Sequence, residues 1–262
     1  MLDTIFSEKQ IRTDAESLQI WGKDWTNGYP VDPRAIVFPE TTEQVQALVA
    51  YAISEGLKLV PSGGRTGLSG GAVASNSEVV VSFDRMNKIL DYSAEDRIVT
   101  CEPGLVTANL QQFALEQGLY YPVDFASSGS SQIGGNVATN AGGIKVIRYG
   151  LTRDWVAGMK VVTGTGALLD CNAGLVKNAT GYDFRHLLIG SEGTLGLMCE
   201  LDMRLAPMPE PQSVMVVGVP QVADLLKILH AFADQITLSA FEFFSDFALA
   251  KVQAHTALAA PV

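Results

Sequence analysis

Three glycine-rich windows constrain the fold of this chain more than any other feature of its sequence. They read PSGGRTGLSGG at 61–71, GSSQIGGNVATNAGG at 129–143 and GSEGTLG at 190–196, and together they hold 13 of the 25 glycines. Glycine lets backbone N–H groups approach a ligand that a Cβ would hold away. Each window follows an apolar run, so we expect the three windows to wrap one extended anionic ligand from three sides.

The balance of charges excludes several classes of partner. The 262 residues include 18 Lys and Arg against 28 Asp and Glu, which gives a net charge of −10. That charge offers no long-range attraction to nucleic acid or to an acidic membrane surface, so an anionic ligand has to be held by local donors. The cysteines at 101, 171 and 199 lack CxxC spacing and the three histidines do not cluster. The sequence therefore predicts neither a disulfide framework nor a metal site.

The N-terminal residues, MLDTIFSEKQIRTDAE, do not resemble a targeting segment. They lack the basic start and apolar core of a signal peptide, and no stretch of the chain reaches the length of an apolar membrane span. These features predict a cytoplasmic protein.

Periodic patterns predict an α/β unit before the first window, after a short helix near 7–20. AIVFP from Ala35 is typical of a strand, and Thr41 with Gln44 fits a capping box. The helix that follows ends at Gly56 and presents one apolar face, made by Val45, Leu48, Val49, Ala52 and Ile53. A second strand at 57–61 leads directly into the first window, at the carboxyl end where ligands bind in such units.

The later patterns favour further elements. We expect strands at 79–83 and 98–103, a helix from Thr107 to Gln117, a hairpin at 156–171 and an alternating strand at 195–205. A proline-rich break at 206–212 precedes a β-α-β unit at 213–245, which reads as the start of a second domain.

Two nucleotide-binding motifs are absent, whereas one hydrolase motif is present. The chain has neither GxGxxG between its first strand and helix nor GxxxxGK[ST]. Residues 67–71, GLSGG, satisfy the GxSxG pattern of α/β-hydrolases, with His186, His230 and His255 left as triad partners. Because that motif needs a strand directly before it and a helix directly after it, a serine hydrolase stays a secondary alternative.

A family resemblance appears in the longer motifs around the second and third windows. Residues 35–205 resemble the FAD-binding domain of the flavoproteins related to vanillyl-alcohol oxidase and p-cresol methylhydroxylase. The stretches IGGNVATNAGGIKVIRYG and NATGYDFRHLLIGSEGTLG are similar to the D-2-hydroxyacid dehydrogenase branch of that family. The resemblance implies an α+β fold, with a two-part FAD-binding domain of the p-cresol methylhydroxylase type at 1–205. Residues 206–262 would be a linker and the first part of an incomplete α+β substrate (cap) domain.

The resemblance also implies which residues contact the cofactor. The pyrophosphate loop corresponds to Pro61, Ser62, Gly63, Gly64, Arg65, Thr66, Gly67, Ser69 and Gly70. The stretch beside the flavin and ribityl chain corresponds to Pro122, Asp124, Gly129, Ser130, Ile133, Gly134, Gly135, Asn136, Thr139, Asn140 and Gly143. The third contact, near the adenine end, corresponds to Glu192, Gly193 and Leu197. Some relatives attach flavin through a histidine at the position of Arg65, so FAD is expected to be held non-covalently here.

The activity implied by the resemblance is FAD-dependent oxidation of a D-2-hydroxy acid. Hydride would pass to the flavin, and electrons would leave to an acceptor such as a quinone or an electron-transfer flavoprotein. The family's catalytic groups lie in the cap, so no catalytic residue is assigned within this chain and we expect it to be inactive alone. Self-association through the incomplete cap and a non-catalytic flavin-binding module are both left open.

Overall fold

A computed structural model of the chain describes residues 2–172, 175–256 and 258–260. The strands are β1 Ile11–Arg12, β2 Ala35–Val37, β3 Leu59–Ser62, β4 Val79–Ser82, β5 Ile89–Ser93, β6 Ile98–Cys101, β7 Leu119–Tyr120, β8 Val156–Thr163, β9 Leu168–Cys171, β10 Gly196–Arg204 and β11 Ala206–Pro207. The α-helices are α1 Ala15–Trp21, α2 Thr42–Glu55, α3 Thr107–Glu116, α4 Ile133–Ala138, α5 Val146–Tyr149, α6 Arg185–Leu188, α7 Leu225–Ala233 and α8 Asp246–Thr256. The result is the expected α+β architecture, with two main sheets and a two-stranded sheet of β7 and β11.

The first sheet has the strand order β1-β2-β4-β3, and β2, β3 and β4 run parallel. Helix α2 covers one face, because its apolar side chains pack with Val79 and Val81 of β4 in a shared core. The predicted β-α-β unit is thus confirmed, and β3 delivers the first window at its carboxyl end. Gly56 ends α2 at φ 65°, in the left-handed region that favours glycine.

Two details of α2 differ from the predictions. The Thr41 side chain accepts from the Gln44 N–H at 3.2 Å, but the Gln44 side chain accepts from the N–H of Glu40 at 2.8 Å. The reciprocal half of the capping box is therefore made one residue earlier. Ile53 is 58% exposed, so it lies outside the buried face of the helix.

The second sheet is antiparallel, in the order β5-β6-β10-β8-β9. The predicted hairpin is present as β8 and β9, with Val162 opposite Leu168, and the predicted strand at 195–205 is β10. Helix α3 and the fully buried Tyr121 pack into the core against this sheet. The edge strand β5 was not predicted from the sequence, because its exposed Leu90 and Asp91 break the alternation that marks a half-buried strand.

The N-terminal prediction of a helix near 7–20 is only partly right. A short 3-10 helix at Glu8–Gln10 is followed by β1, and α1 begins only after Asp14. The Asp14 carboxylate accepts the N–H of Ser17 at 2.9 Å, which caps the helix there.

The β-α-β unit predicted at 213–245 is wrong in its strands. Only its helix forms, as α7 after a 3-10 turn at Val222–Asp224, and no strand is present between 213 and 245. Val214 is 94% exposed and Met215 is 70% exposed, so this apolar segment has no neighbouring strand to satisfy its backbone. Residues 246–256 form α8, whereas residues 257, 261 and 262 lie outside the described part.

No helix in the described ranges is both long enough and apolar enough to cross a bilayer.

Candidate cofactor-binding site

The three glycine windows meet at one cleft of about 890 Å³. Such a volume is in the range of small-molecule and cofactor sites. Sixteen of the 23 predicted contact residues line the cleft, including Pro61 to Gly67, the Gly134-Gly135-Asn136 run, and Glu192 with Gly193. The sequence prediction that the windows surround a single site therefore agrees with the structure.

Several glycines are required because the windows touch each other. A Cβ on Gly64 would overlap the carbonyl oxygen of Ser130, and a Cβ on Gly193 would overlap the ring of Pro61. Gly193 also has φ 77°, where side chains are strained. These two glycines hold the first window against the second and the third window against β3.

Other glycines leave space for a ligand. A Cβ on Gly135 would meet no protein atom within 4 Å, and one on Gly63 would meet its nearest neighbour at an ordinary 3.5 Å. Both residues line the cleft. The absence of side chains at Gly63 and Gly135 therefore keeps the cleft open.

The first window provides an anion cradle of backbone donors. Within the described residues, the N–H groups from Gly64 to Ser69 donate no hydrogen bond to protein, whereas that of Gly70 donates to the Asp24 carboxylate at 2.9 Å. Arg65 is the single cation among the described lining residues. A ligand carrying two phosphate charges would therefore be held here mainly by oriented peptide dipoles.

Arg65 directs its charge to the protein. Its Nη1 lies 3.0 Å from the carbonyl oxygen of Gly63 and 3.3 Å from both carboxylate oxygens of Asp84. The guanidinium carbon also lies 5.7 Å from the ring centre of Trp21, in cation–π geometry. These contacts hold the first window in place. The Arg65 backbone itself has φ 59°.

Positive φ at residues other than glycine marks all three windows. Arg65, Asn140 and Glu192 adopt φ of 59°, 47° and 51°. Such conformations cost energy and are found mainly where surrounding structure over-determines them, as in binding loops. Here the Asn140 side chain accepts the N–H of Arg153 at 3.0 Å, which supports the turn.

Seven predicted contact residues do not line the cleft. They are Gly70, Pro122, Asp124, Gly129, Ile133, Asn140 and Gly143. Ile133 is fully buried in the core, and a Cβ on Gly143 would overlap the carbonyl oxygen of Asp124. The Asp124 carboxylate accepts from Lys145 Nζ at 3.1 Å, so Asp124 and Gly143 help to hold the second window in place without lining the cleft.

Lys145 also donates to the hydroxyl of Tyr120 at 2.5 Å. Burial lowers the pKa of Lys145, but its hydrogen bonds to Tyr120 and Asp124 outweigh this effect and raise the pKa above its ordinary value. Lys145 is therefore a protonated structural group behind the second window.

About half of the residues that line the cleft were not predicted from the sequence. Asp24 and Trp25 come from the WGKDWTNGYP loop, and Gln132, Phe125 and Met198 lie beside the predicted positions. The N–H of Trp25 donates to the carbonyl oxygen of Gly67 at 2.9 Å, which attaches this loop to the first window. Only the density of Trp, Asp, Asn and Gly in the loop could have signalled it.

Two unsatisfied polar atoms lie in residues that line the cleft. Ser62 Oγ and Gln132 Oε1 are buried and have no hydrogen-bond partner. A buried polar atom without a partner costs about 1–3 kcal/mol. Together with the free N–H groups and the space beside Gly135, these atoms fit a large ligand with phosphates and hydrogen-bond donors, as FAD has.

The hydrolase alternative does not fit the structure. The GLSGG segment at 67–71 is a loop, separated from the end of β3 by Gly63 to Thr66, and no helix begins between residue 71 and Thr107, all of which the structure describes. A nucleophile elbow requires both elements directly beside the serine. In addition, no histidine is found among the described residues that line the cleft. No group of three or more His, Cys, Asp and Glu residues in the described chain is placed to hold a metal.

Comparison with known families assigns the domain. Residues 33–172, more than half of the chain, match the family described as FAD binding domain. The chain therefore belongs to the FAD binding domain family, and its cofactor is FAD.

The similar curated proteins are D-2-hydroxyglutarate dehydrogenases. The protein from Stutzerimonas stutzeri strain A1501 is 60% identical over 260 residues, which cover 99% of this chain and 56% of the relative. The mitochondrial protein of Bos taurus is 36% identical over 255 residues, covering 97% of this chain and 47% of the relative. The chain thus spans about half the length of the curated relatives it matches.

Solved structures support the fold. An alkyldihydroxyacetonephosphate synthase superposes with a TM-score of 0.72 at 25% identity, covering 80% of this chain and 40% of that protein. A Bermuda grass isoallergen of pollen group 4 superposes with a TM-score of 0.67 at 19% identity, covering 79% and 44%. The architecture is therefore that of known structures even where the sequences have diverged.

Proposed function

We propose that this chain is the FAD-binding part of an FAD-dependent dehydrogenase of D-2-hydroxy acids, with D-2-hydroxyglutarate as the leading substrate. The observation that carries the proposal is the cleft formed by three glycine windows, with a run of free N–H groups from Gly64 to Ser69 at one side. The 60% identity to a D-2-hydroxyglutarate dehydrogenase supports the choice of substrate.

In this proposal the chain's own residues have separable tasks. The first window binds the pyrophosphate through peptide N–H groups. The helix α4 offers a surface without side chains at Gly135 for the flavin half, and Glu192 with Gly193 lines the cleft beside the first window. Arg65 holds the backbone of the first window in place and is not a point of flavin attachment. The cofactor is therefore held non-covalently.

The bound FAD supplies the redox chemistry, since its ring accepts a hydride from C2 of the substrate. The described lining offers no group suited to take the hydroxyl proton. Its titratable side chains are Asp24, Arg65 and Glu192, and Asp24 is occupied by the N–H groups of Gly70 and Thr26. Glu192 belongs to the third window, which the family resemblance places near the adenine end of the cofactor and away from the flavin ring. General-base catalysis is worth about 10²–10⁴-fold, so the chain alone should oxidise substrate slowly or not at all.

The same observation favours a second candidate function, a non-catalytic flavin-binding module. A cleft with bound cofactor and no proton acceptor can hold flavin without turnover. We assign 1–205 to the FAD-binding domain and 206–262 to the beginning of a substrate domain. Partners would be the hydroxy acid, an electron acceptor such as a quinone or electron-transfer flavoprotein, and a second copy. A cytoplasmic location stays a prediction.

The test is made on the purified chain loaded with FAD under anaerobic conditions. We expect stoichiometric flavin, no bleaching within seconds by millimolar D-2-hydroxyglutarate, D-lactate or glycolate, and full bleaching by dithionite. Rapid bleaching by D-2-hydroxyglutarate but not by its L enantiomer would prove the activity and contradict the absence of a proton acceptor. A chain that neither carries nor takes up flavin would overturn the proposal.

A further inference from the structure

The Asp84 carboxylate is a junction between three segments of the cleft wall. Its Oδ2 accepts from Trp21 Nε1 at 2.7 Å, its Oδ1 accepts from Gln132 Nε2 at 2.8 Å, and both oxygens lie 3.3 Å from Arg65 Nη1. These donors come from α1, from the first window and from the residue before α4. A single side chain therefore connects the N-terminal segment with the first two windows.

This junction determines how the Gln132 amide is oriented. An ionised carboxylate can only accept hydrogen bonds, so the NH₂ group of Gln132 has to face Asp84 and its oxygen has to face away. That oxygen is buried and has no partner, in a residue that is itself only 6% exposed. The orientation thus leaves one acceptor without a donor.

The position of the orphaned oxygen relates it to the cleft. It lies 3.5 Å from the place that a Cβ on Gly63 would occupy, and the same place lies 3.6 Å from the Cα of Gly135. Gln132, Gly63 and Gly135 all line the cleft. The orphaned oxygen therefore lies in the wall of the cleft, beside two glycines that carry no side chain.

We propose that Gln132 Oε1 accepts a hydrogen bond from the bound cofactor, and that Asp84 is the positioning residue that aims it. The inference rests on the FAD binding proposed above. FAD carries donors in both halves, namely the ring N–H and ribityl hydroxyls of the flavin half and the amino group and ribose hydroxyls of the adenine half. Whichever half of FAD is involved, one of its donors would reach the fixed amide oxygen of Gln132.

The first experiment measures the Kd for FAD of the chain and of Gln132→Leu, which removes the oxygen at similar volume. We expect Gln132→Leu to bind FAD about fivefold or more weakly, as for one lost hydrogen bond. The matched control is Gln112→Leu, because Gln112 also donates to a carboxylate, Glu116, at 2.9 Å, but on the exposed surface of α3. Titrations with FMN and with ADP then show which half loses affinity.

The second experiment tests whether Asp84 orients the Gln132 amide or only stabilises the protein. Asp84→Asn and Gln132→Glu should each weaken FAD binding and alter the band shape of the bound flavin. In the double variant, the new amide at 84 can donate to the new carboxylate at 132, which again leaves an oxygen directed away and keeps the net charge. We expect the double variant to recover FAD affinity to within about threefold of the parent.

The outcomes decide between the two proposals. If the parent binds FAD and Gln132→Leu binds it equally well, the role of Gln132 is overturned while FAD binding stands. If the double variant binds no better than the single variants, Asp84 does not act through Gln132. If Gln132→Leu does not fold, which the unfolding midpoint of the flavin-free chain reveals, the double variant alone decides.

Discussion

The backbone N–H of Glu192 donates to the carbonyl oxygen of Ala138 at 2.8 Å, and this bond joins the third glycine window to the end of α4. The N–H of Gly190 donates to Val137 in the same way, at 3.1 Å. The second and third windows are therefore one hydrogen-bonded unit, although about fifty residues of chain separate them. Substitutions within this unit should fall into two classes, those that disturb the protein and those that disturb only the ligand.

Gly135→Val should abolish FAD binding and leave the fold intact. Gly135 lies in α4 at an ordinary helical φ, so a side chain adds no backbone strain there. Its Cβ would meet no protein atom within 4 Å and would project into the cleft. We expect an unchanged unfolding midpoint for the flavin-free variant and loss of flavin absorbance after purification.

The control for Gly135→Val is Gly164→Val in the turn between β8 and β9. A Cβ on Gly164 also meets nothing within 4 Å, but Gly164 does not line the cleft. It should retain full flavin. Equal flavin content in the two variants would remove Gly135 from the cofactor surface.

Gly193→Ala should destabilise the protein itself. Its backbone has φ 77°, and its Cβ would overlap Pro61 at the end of β3. Strained φ and overpacking cost roughly 1–3 kcal/mol each. We expect a lower free energy of unfolding, measured by urea titration of the flavin-free chain.

Gly166→Ala isolates the effect of the overlap. Gly166 has a similar φ of 82°, but its Cβ would meet no atom within 4 Å. Gly166→Ala should therefore lower the free energy of unfolding only by the part that comes from backbone strain. If both variants lost the same free energy, the packing of Gly193 on Pro61 would have no energetic weight.

The contrast between these glycines shows what could be predicted from the sequence. The windows, β2, α2, β3 and the β8–β9 hairpin depend on local patterns, and all of them were predicted. Which glycine packs and which faces the ligand depends on neighbours from distant segments, such as Pro61 beside Gly193. The Asp84 junction was missed for the same reason, because its partners lie at 21, 65 and 132 and no local pattern marks it.

The errors in the C-terminal part have a related cause. Residues 213–219 have strand-like composition, but a strand needs a partner to satisfy its backbone. Composition shows that a segment tends to form a strand, but it does not show whether a partner strand lies beside it. The helix of the predicted β-α-β unit was confirmed as α7, because an α-helix satisfies its hydrogen bonds internally.

Denaturing the FAD-loaded chain should release all of its flavin. Arg65 stands where some relatives attach flavin, and a guanidinium forms no such bond. After acid precipitation we expect a colourless pellet and a yellow supernatant. Flavin retained in the pellet would contradict non-covalent binding.

Arg65→Ala should weaken FAD binding only modestly. Because Arg65 directs its charge to Asp84, its removal loosens the first window without deleting a direct phosphate contact. Partly exposed ion pairs are worth about 0–1 kcal/mol, which corresponds to at most about fivefold in Kd. A loss of a hundredfold or more would show that Arg65 contacts the cofactor directly. Lys177→Ala, an exposed charge remote from the lining, serves as the control.

Asp202→Asn should stabilise the protein at pH 7. Burial raises the pKa of Asp202, and the nearby Glu200 adds to this effect, although the Thr100 hydroxyl donates to Asp202 at 2.7 Å and opposes it. The folded state thus releases this proton at a higher pH than the unfolded state, whose Asp pKa is about 3.9. Stability contributed by the protonated group is present in acid and lost as pH rises from that value through the folded pKa.

Above the folded pKa the loss is complete, so an uncharged Asn that still accepts from Thr100 should raise the unfolding midpoint by a few degrees. The advantage should shrink as the pH is lowered from 7 towards 4, because the parent carboxyl then becomes neutral in the folded state. Asp91→Asn, on the exposed edge strand β5, should show no such change. Thermal unfolding of the flavin-free chain across this pH range measures the difference, and an advantage that stayed constant with pH would show that ionisation of Asp202 is not its cause.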